Sequence, residues 1–228
     1  MTGLDSAGWF RSVIPGIALA AALLSVSPCS FAKLSADETR ELARGQIQDS
    51  NAGLRAAACR MLAEAGTDED LPRLMGALFD RDVEVRIAAE AAIWRIWGRS
   101  GDAEADRLFN LGVEQMSRRD FAAAIRTFTQ VIDMRPAFTE GWNKRATVYF
   151  LMGEDDASLK DCHEVLKRNP HHFGVLAGFG QIHVRRGELE TALDYFERTL
   201  AVNPNMDGVQ LAINAIQRAL ARRDGRLI

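Results

Sequence analysis

Three prolines punctuate the second half of this chain at a fixed interval: Pro136, Pro170 and Pro204 stand 34 residues apart. A proline disfavours helix at the residue before it and brings no backbone donor, so each one marks a helix end. The stretches between them hold no further proline and few β-branched runs, and alanine is abundant, which favours helix. A period of this length signals stacked units, none of which can bury its apolar face alone. The fold class expected is therefore all-α, an α-solenoid.

The prolines set a register with units at 105–138, 139–172 and 173–206. The fourth position holds Leu108, Trp142 and Leu176, and the eighth is small in every unit: Gly112, Ala146 and Gly180. The twentieth is small again, at Ala124, Ser158 and Ala192. The twenty-fourth holds Phe128, Cys162 and Phe196, and near the twenty-seventh come Val131, Val165 and Leu200. This pattern resembles the tetratricopeptide repeat, departing from it mildly at the eleventh position, where Gln115, Tyr149 and His183 stand. The resemblance implies three pairs of antiparallel helices. After the third proline, Val209, Ile213, Ile216 and Leu220 share one helical face and predict a capping helix within 103–222. The tail 223–228 is expected to fray.

Residues 33–102 follow another period. Arg55 aligns with Arg86, and Ala57-Ala58 with Ala88-Ala89, at an offset of 31. The run Asp80, Asp82, Val85, Arg86, Ala88, Ala89 resembles short HEAT-like repeats, and Ser35 with Glu38 forms a capping-box signature ahead of them. Trp94 and Trp97 lie on neighbouring positions of one helix and are expected to pack the junction between the two arrays.

Residues 1–32 read as a signal peptide: one basic side chain, Arg11, precedes an apolar run from Ser12 to Val26, and Ser30 and Ala32 are small residues before a cut. The expected location is the periplasm, by export; the alternative is a membrane anchor formed by residues 12–26. In an oxidising compartment, Cys59 and Cys162 would remain after cleavage, and their apolar neighbours predict two buried thiols.

The chain has 28 basic and 31 acidic residues, a balance without the footprint of a nucleic-acid binder. No glycine-rich phosphate loop, HExxH or GxSxG occurs. Cys162 and His163 are adjacent and point apart on a helix. His171, His172 and His183 lack metal-ligand spacing. No catalytic residue, cofactor or metal site is expected, and the reading is non-enzymatic. The family resemblance implies that the first helix of each unit lines a concave groove. The matching positions are Phe109, Asn110, Val113 and Met116, then Asn143, Lys144, Thr147 and Phe150, then Gly178, Gln181, Val184 and Arg185. Phe109, Val113, Gly174 and Gly178 stand where some relatives carry a carboxylate clamp, which disfavours that mode of tail binding. The expected function is a cell-envelope adaptor that holds a segment of another protein, with no nucleic-acid partner; the alternative is a structural or self-association module.

Overall fold

The computed structural model describes residues 34–225; the leader reading of residues 1–32 and the last three residues lie outside it. Every described regular element is helical. The first array contains α1 (Ala36–Gln46), α2 (Ala52–Ala65), a 3-10 turn (Asp68–Asp70), α3 (Leu71–Ala77) and α4 (Val83–Trp97). The second contains the pairs α5 (Ala103–Ser117) and α6 (Phe121–Met134), α7 (Thr139–Met152) and α8 (Asp155–Arg168), and α9 (Phe173–Arg185) and α10 (Leu189–Val202), followed by α11 (Asp207–Arg223).

The residue before each proline ends its helix in the same way. Arg135, Asn169 and Asn203 have φ near −135° (−135°, −137° and −130°) and positive ψ (73°, 89° and 98°). The clash of each proline ring with the residue ahead of it forces that extended conformation. The turn inside each pair is also periodic. Arg119, Gly153 and Gly187 all have positive φ, at 63°, 82° and 76°. Glycine accepts that region freely, whereas Arg119 meets a steric cost there. Its side chain is exposed and makes no ion pair among the described residues, so Arg119→Gly is expected to raise stability by about 0.5–1 kcal/mol. A urea midpoint that falls in this variant would rule out strain at the turn.

The helices of a pair approach through the eighth and twenty-fourth positions. A Cβ added at Gly112 would sit 2.6 Å from the Phe128 ring, and one at Gly180 would sit 2.4 Å from the Phe196 ring. In the middle pair Ala146 and Cys162 occupy these places, both buried. A larger residue on the second helix is thus matched by a smaller one on the first. The twenty-seventh position of the third pair is Thr199, fully buried, with its hydroxyl donating to the Tyr195 carbonyl. Leu200, one residue later, is only partly buried and packs under α11. Val209, Ile213 and Ile216 of α11 cover Ala192 and Phe196. Arg223 pairs with Glu190 at 2.6 Å and extends α11 one residue into the stretch expected to fray.

Within the first array, Arg55 donates to Asp80 through two bonds of 2.7 Å and to the carbonyls of Asp49 and Ser50. Arg86 makes the equivalent backbone bonds, to the carbonyls of Asp80 and Arg81. Its remaining edge reaches Asn205 Oδ1 at 2.6 Å, in the last proline turn. Asn205 also donates to the Leu78 carbonyl. The second array thereby supplies the acceptor that Asp80 supplies to Arg55, and the two arrays lock together.

Trp94 and Trp97 pack that junction. Trp97 is 8% exposed and stacks on His172 with centroids 4.3 Å apart, while Trp94 meets Phe173 edge-on. Gly174 leaves the space that Trp94 fills: a Cβ there would lie 2.6 Å from the indole. Phe173 joins the core of the first array, so one apolar core crosses the boundary.

Candidate functional site

The first helices of the three pairs, α5, α7 and α9, present the residues expected to line a groove, and their surroundings differ. Phe109 is buried, with its ring 5.3 Å from Phe138 and 5.9 Å from Phe128, and belongs to the core of the first pair. It offers no surface to a partner. The reason is that position five of the first unit faces the turn into the second, where Phe138 draws it inward. Asn143 is also buried and donates to Glu140 at 2.9 Å. Lys144 lies over the Trp94 ring at 5.6 Å and is occupied by the junction.

The remaining positions form a partly open strip. Val113 and Met116 are half-buried against the first pair's core. Thr147 spends its hydroxyl on the Asn143 carbonyl. Phe150 is half-buried beneath the Arg185 guanidinium, 4.1 Å above its ring. Arg185 is held there by Asp155 and the Phe150 carbonyl. Gly178 and Gln181 are half-exposed, and Asn110 is exposed; neither amide makes a hydrogen bond among the described residues. Val184 is 39% exposed, and so is Leu151, a neighbour of Phe150. Trp94 thus covers the surface at Lys144 and Gly174, and Leu151 and Val184 stay accessible.

Sequence reasoning missed a buried Glu–His pair at the covered end. Glu140 Oε1 accepts from His172 Nε2–H at 2.6 Å, and both side chains are at least 98% buried, with exposures of 2% and 0%. The Val175 N–H donates to His172 Nδ1, at the cap of α9, which assigns the ring proton to Nε2. Burial pushes the Glu140 carboxyl up; Lys144, His172 and Asn143 together outweigh it and hold the group below its ordinary value. A signal was present in the second position of each unit, acidic at Asp106 and Glu140 before Gly174. Asp106 likewise serves the junction, accepting from the Ser100 N–H at 2.8 Å.

The described residues show little reactive chemistry. Burial raises the Cys59 thiol to about 11 and the Cys162 thiol to about 12, and both are free. They lie in separate cores. No group of three His, Cys, Asp or Glu side chains among the described residues is placed to hold a metal. No described helix is long and apolar enough to cross a membrane.

The geometry, three helix pairs in a 34-residue register closed by an amphipathic helix, has a counterpart in a known family. Residues 109–172 are matched by the tetratricopeptide repeat family. A TPR repeat-containing protein of Rhizobium etli is 31% identical over 125 residues, covering 55% of this chain and 61% of the relative. DnaJ homolog subfamily C member 3 of Homo sapiens is 26% identical over 104 residues, covering 46% of this chain and 21% of the relative. The chain thus spans less than two thirds of these relatives' own length. Among solved structures, the Sgt2 TPR domain from Aspergillus fumigatus has a TM-score of 0.51 at 19% identity, covering 54% of this chain and 83% of that one. The first TPR of Spaghetti (RPAP3) bound to the HSP90 peptide SRMEEVD has a TM-score of 0.50 at 24% identity, covering 53% and 96%. MamA has a TM-score of 0.50 at 17% identity, covering 64% and 89%. These likenesses establish a shared tetratricopeptide fold.

A second concavity lies on the other side of the junction, a cleft of about 940 Å³ between α3 and the proline turns. Its lining comes from five separated stretches of chain, between Asp68 and Val202, so no local motif announces it.

Proposed function

We propose that this protein is a non-catalytic adaptor that holds an extended or helical segment of another protein on the open end of its tetratricopeptide groove. The observation that carries the reading is the accessible pair Leu151 and Val184, with the Gln181 amide one helical turn before Val184 and without a hydrogen bond among the described residues. Apolar side chains supply contact area, and free amides can pair with a peptide backbone. The likeness to a domain whose structure contains a bound HSP90 peptide supports peptide binding as a class of function. The clamp positions of that kind of tail binding hold Phe109, Val113, Gly174 and Gly178 here, so the segment bound is not anchored by a terminal carboxylate.

In this reading the first array is a HEAT-like buttress. Its support is the shared role of Arg55 and Arg86, each bonded to the carbonyls of the turn before its own helix. We further propose export of the chain through residues 1–32, which would place the adaptor in the cell envelope; a mature protein beginning at Lys33 is the expected result of amino-terminal sequencing.

Affinity capture from cell envelopes tests the adaptor. The wild-type chain is expected to retain a defined protein that Leu151→Glu, Val184→Glu loses, with helicity unchanged because both sites are exposed. Equal retention by the two forms would remove the groove from the proposal, and a chain that captures only itself would favour the self-association reading.

A further inference from the structure

The cleft between the arrays has the composition of a ligand site, and nothing in the tetratricopeptide fold requires it. One wall is apolar and comes from the first array: Leu71 and Met75 of α3, with Phe79 at the mouth, 58% exposed. Trp97, Phe138 and Val202 add further apolar lining. The volume of about 940 Å³ falls within the range of small-molecule sites.

Charge on the rim has one dominant sign. Arg99 and Arg135 line the cleft, and neither forms an ion pair with a carboxylate among the described residues. Each is oriented by backbone carbonyls instead: Arg99 donates to those of Glu64 and Gly66, and Arg135 to that of Ser100. Both guanidiniums therefore line one cleft, held by the backbone, while keeping N–H groups to spare. Arg168 is also present but is already paired with Glu164. Asp68 is the acidic lining residue. The Trp97 indole N–H is buried and has no acceptor among the described residues. Uncommitted groups at this site are thus mostly donors, and the wall between them is apolar.

We infer that the cleft binds a carboxylate with a long apolar tail, an acyl-chain amphiphile, with the head at Arg99 and Arg135 and the tail between Met75, Phe79 and Trp97. A carboxylate accepts hydrogen bonds only, which matches a donor-rich rim, and guanidiniums are the groups best suited to it. A peptide would bring backbone N–H groups that need acceptors, and Asp68 is the one lining side chain that only accepts. This inference stands apart from the groove, which lies on α5, α7 and α9.

The test is calorimetric titration of the full chain with dodecanoate below its micelle concentration, and in parallel with dodecyltrimethylammonium and an acidic apolar hexapeptide. One dodecanoate per chain is expected, with at least tenfold weaker binding in the Arg99→Ala, Arg135→Ala variant. Phe79→Glu, at an exposed position, is expected to weaken dodecanoate at least as much without disturbing the fold. Unchanged helicity and urea midpoint identify variants that remain folded; if the double substitution unfolds the chain, Phe79→Glu alone decides. Absence of dodecanoate binding would overturn the inference, as would many weak sites per chain, or wild-type affinity in a folded variant. Equal binding of the cationic amphiphile would overturn the role of the arginines. Saturation by the hexapeptide in competition with dodecanoate would overturn the acyl class and assign the cleft to a peptide.

Discussion

Phe196→Cys is expected to destabilise the protein by about 3 kcal/mol, and adding Gly180→Ala is expected to recover a large part of the loss. Phe196 is 2% exposed and lies over Gly180 so closely that an added Cβ would sit 2.4 Å from its ring. Removing the ring leaves a cavity, the source of the 3–5 kcal/mol typical of such truncations. Gly180→Ala alone forces the ring out of place, an overpacking that costs about 1–3 kcal/mol. In the double variant the clash is gone, the methyl fills part of the cavity, and alanine adds about 1 kcal/mol of helix propensity over glycine. The pair then reproduces Ala146 and Cys162 of the middle unit. A double-mutant cycle by urea denaturation should show a favourable coupling of about 2 kcal/mol. Additivity within about 0.5 kcal/mol would show that the two positions do not sense each other.

The second large effect is at the buried pair. His172→Leu is expected to cost about 3–5 kcal/mol, because it leaves the Glu140 carboxylate buried without its shortest donor. It also removes the acceptor of the Val175 N–H and the ring on which Trp97 stacks. Glu140→Gln keeps the volume and removes the buried charge, so it should cost much less. The pH dependence follows from the lowered carboxyl of Glu140. Such a group contributes stability above its unfolded value, ordinarily 4.5, and loses it as the pH falls through the lowered folded value. Wild-type stability should therefore drop on acidification below about pH 4.5, more steeply than that of Glu140→Gln. Parallel acid titrations of the two proteins would refute this role of the carboxylate.

The groove shows how far periodic reasoning reaches. The register placed Val184 and Gln181 on the first helix of the third pair, where they are accessible. The same register placed Phe109 in the groove, yet it lies in the core. Position within a repeat states which way a side chain leaves its own helix; what stands opposite depends on the neighbouring unit. Phe138, at the turn into the second pair, is what buries Phe109. Lys144 has a suitable groove position too, and Trp94 from the first array covers it.

The junction has the same character. Two tryptophans three residues apart announced a packing role, and Trp97 and Trp94 do pack between the arrays. Their partners His172, Phe173 and Gly174 follow some 75 residues later. Nothing local in the sequence relates Arg86 to Asn205, which bond across 119 positions.

By itself the sequence determined the all-helical array, its helix ends and the close approach within each pair. These depend on interactions over a few residues or on one helix against the next, and they repeat, so a 34-residue period exposes them. The tertiary structure alone decided which half of the groove stays open, the buried Glu140–His172 pair and the cleft beside α3. Each arises where the first array folds back on the turns of the second, bringing together residues that occur once and far apart, and a contact made once leaves no period to read.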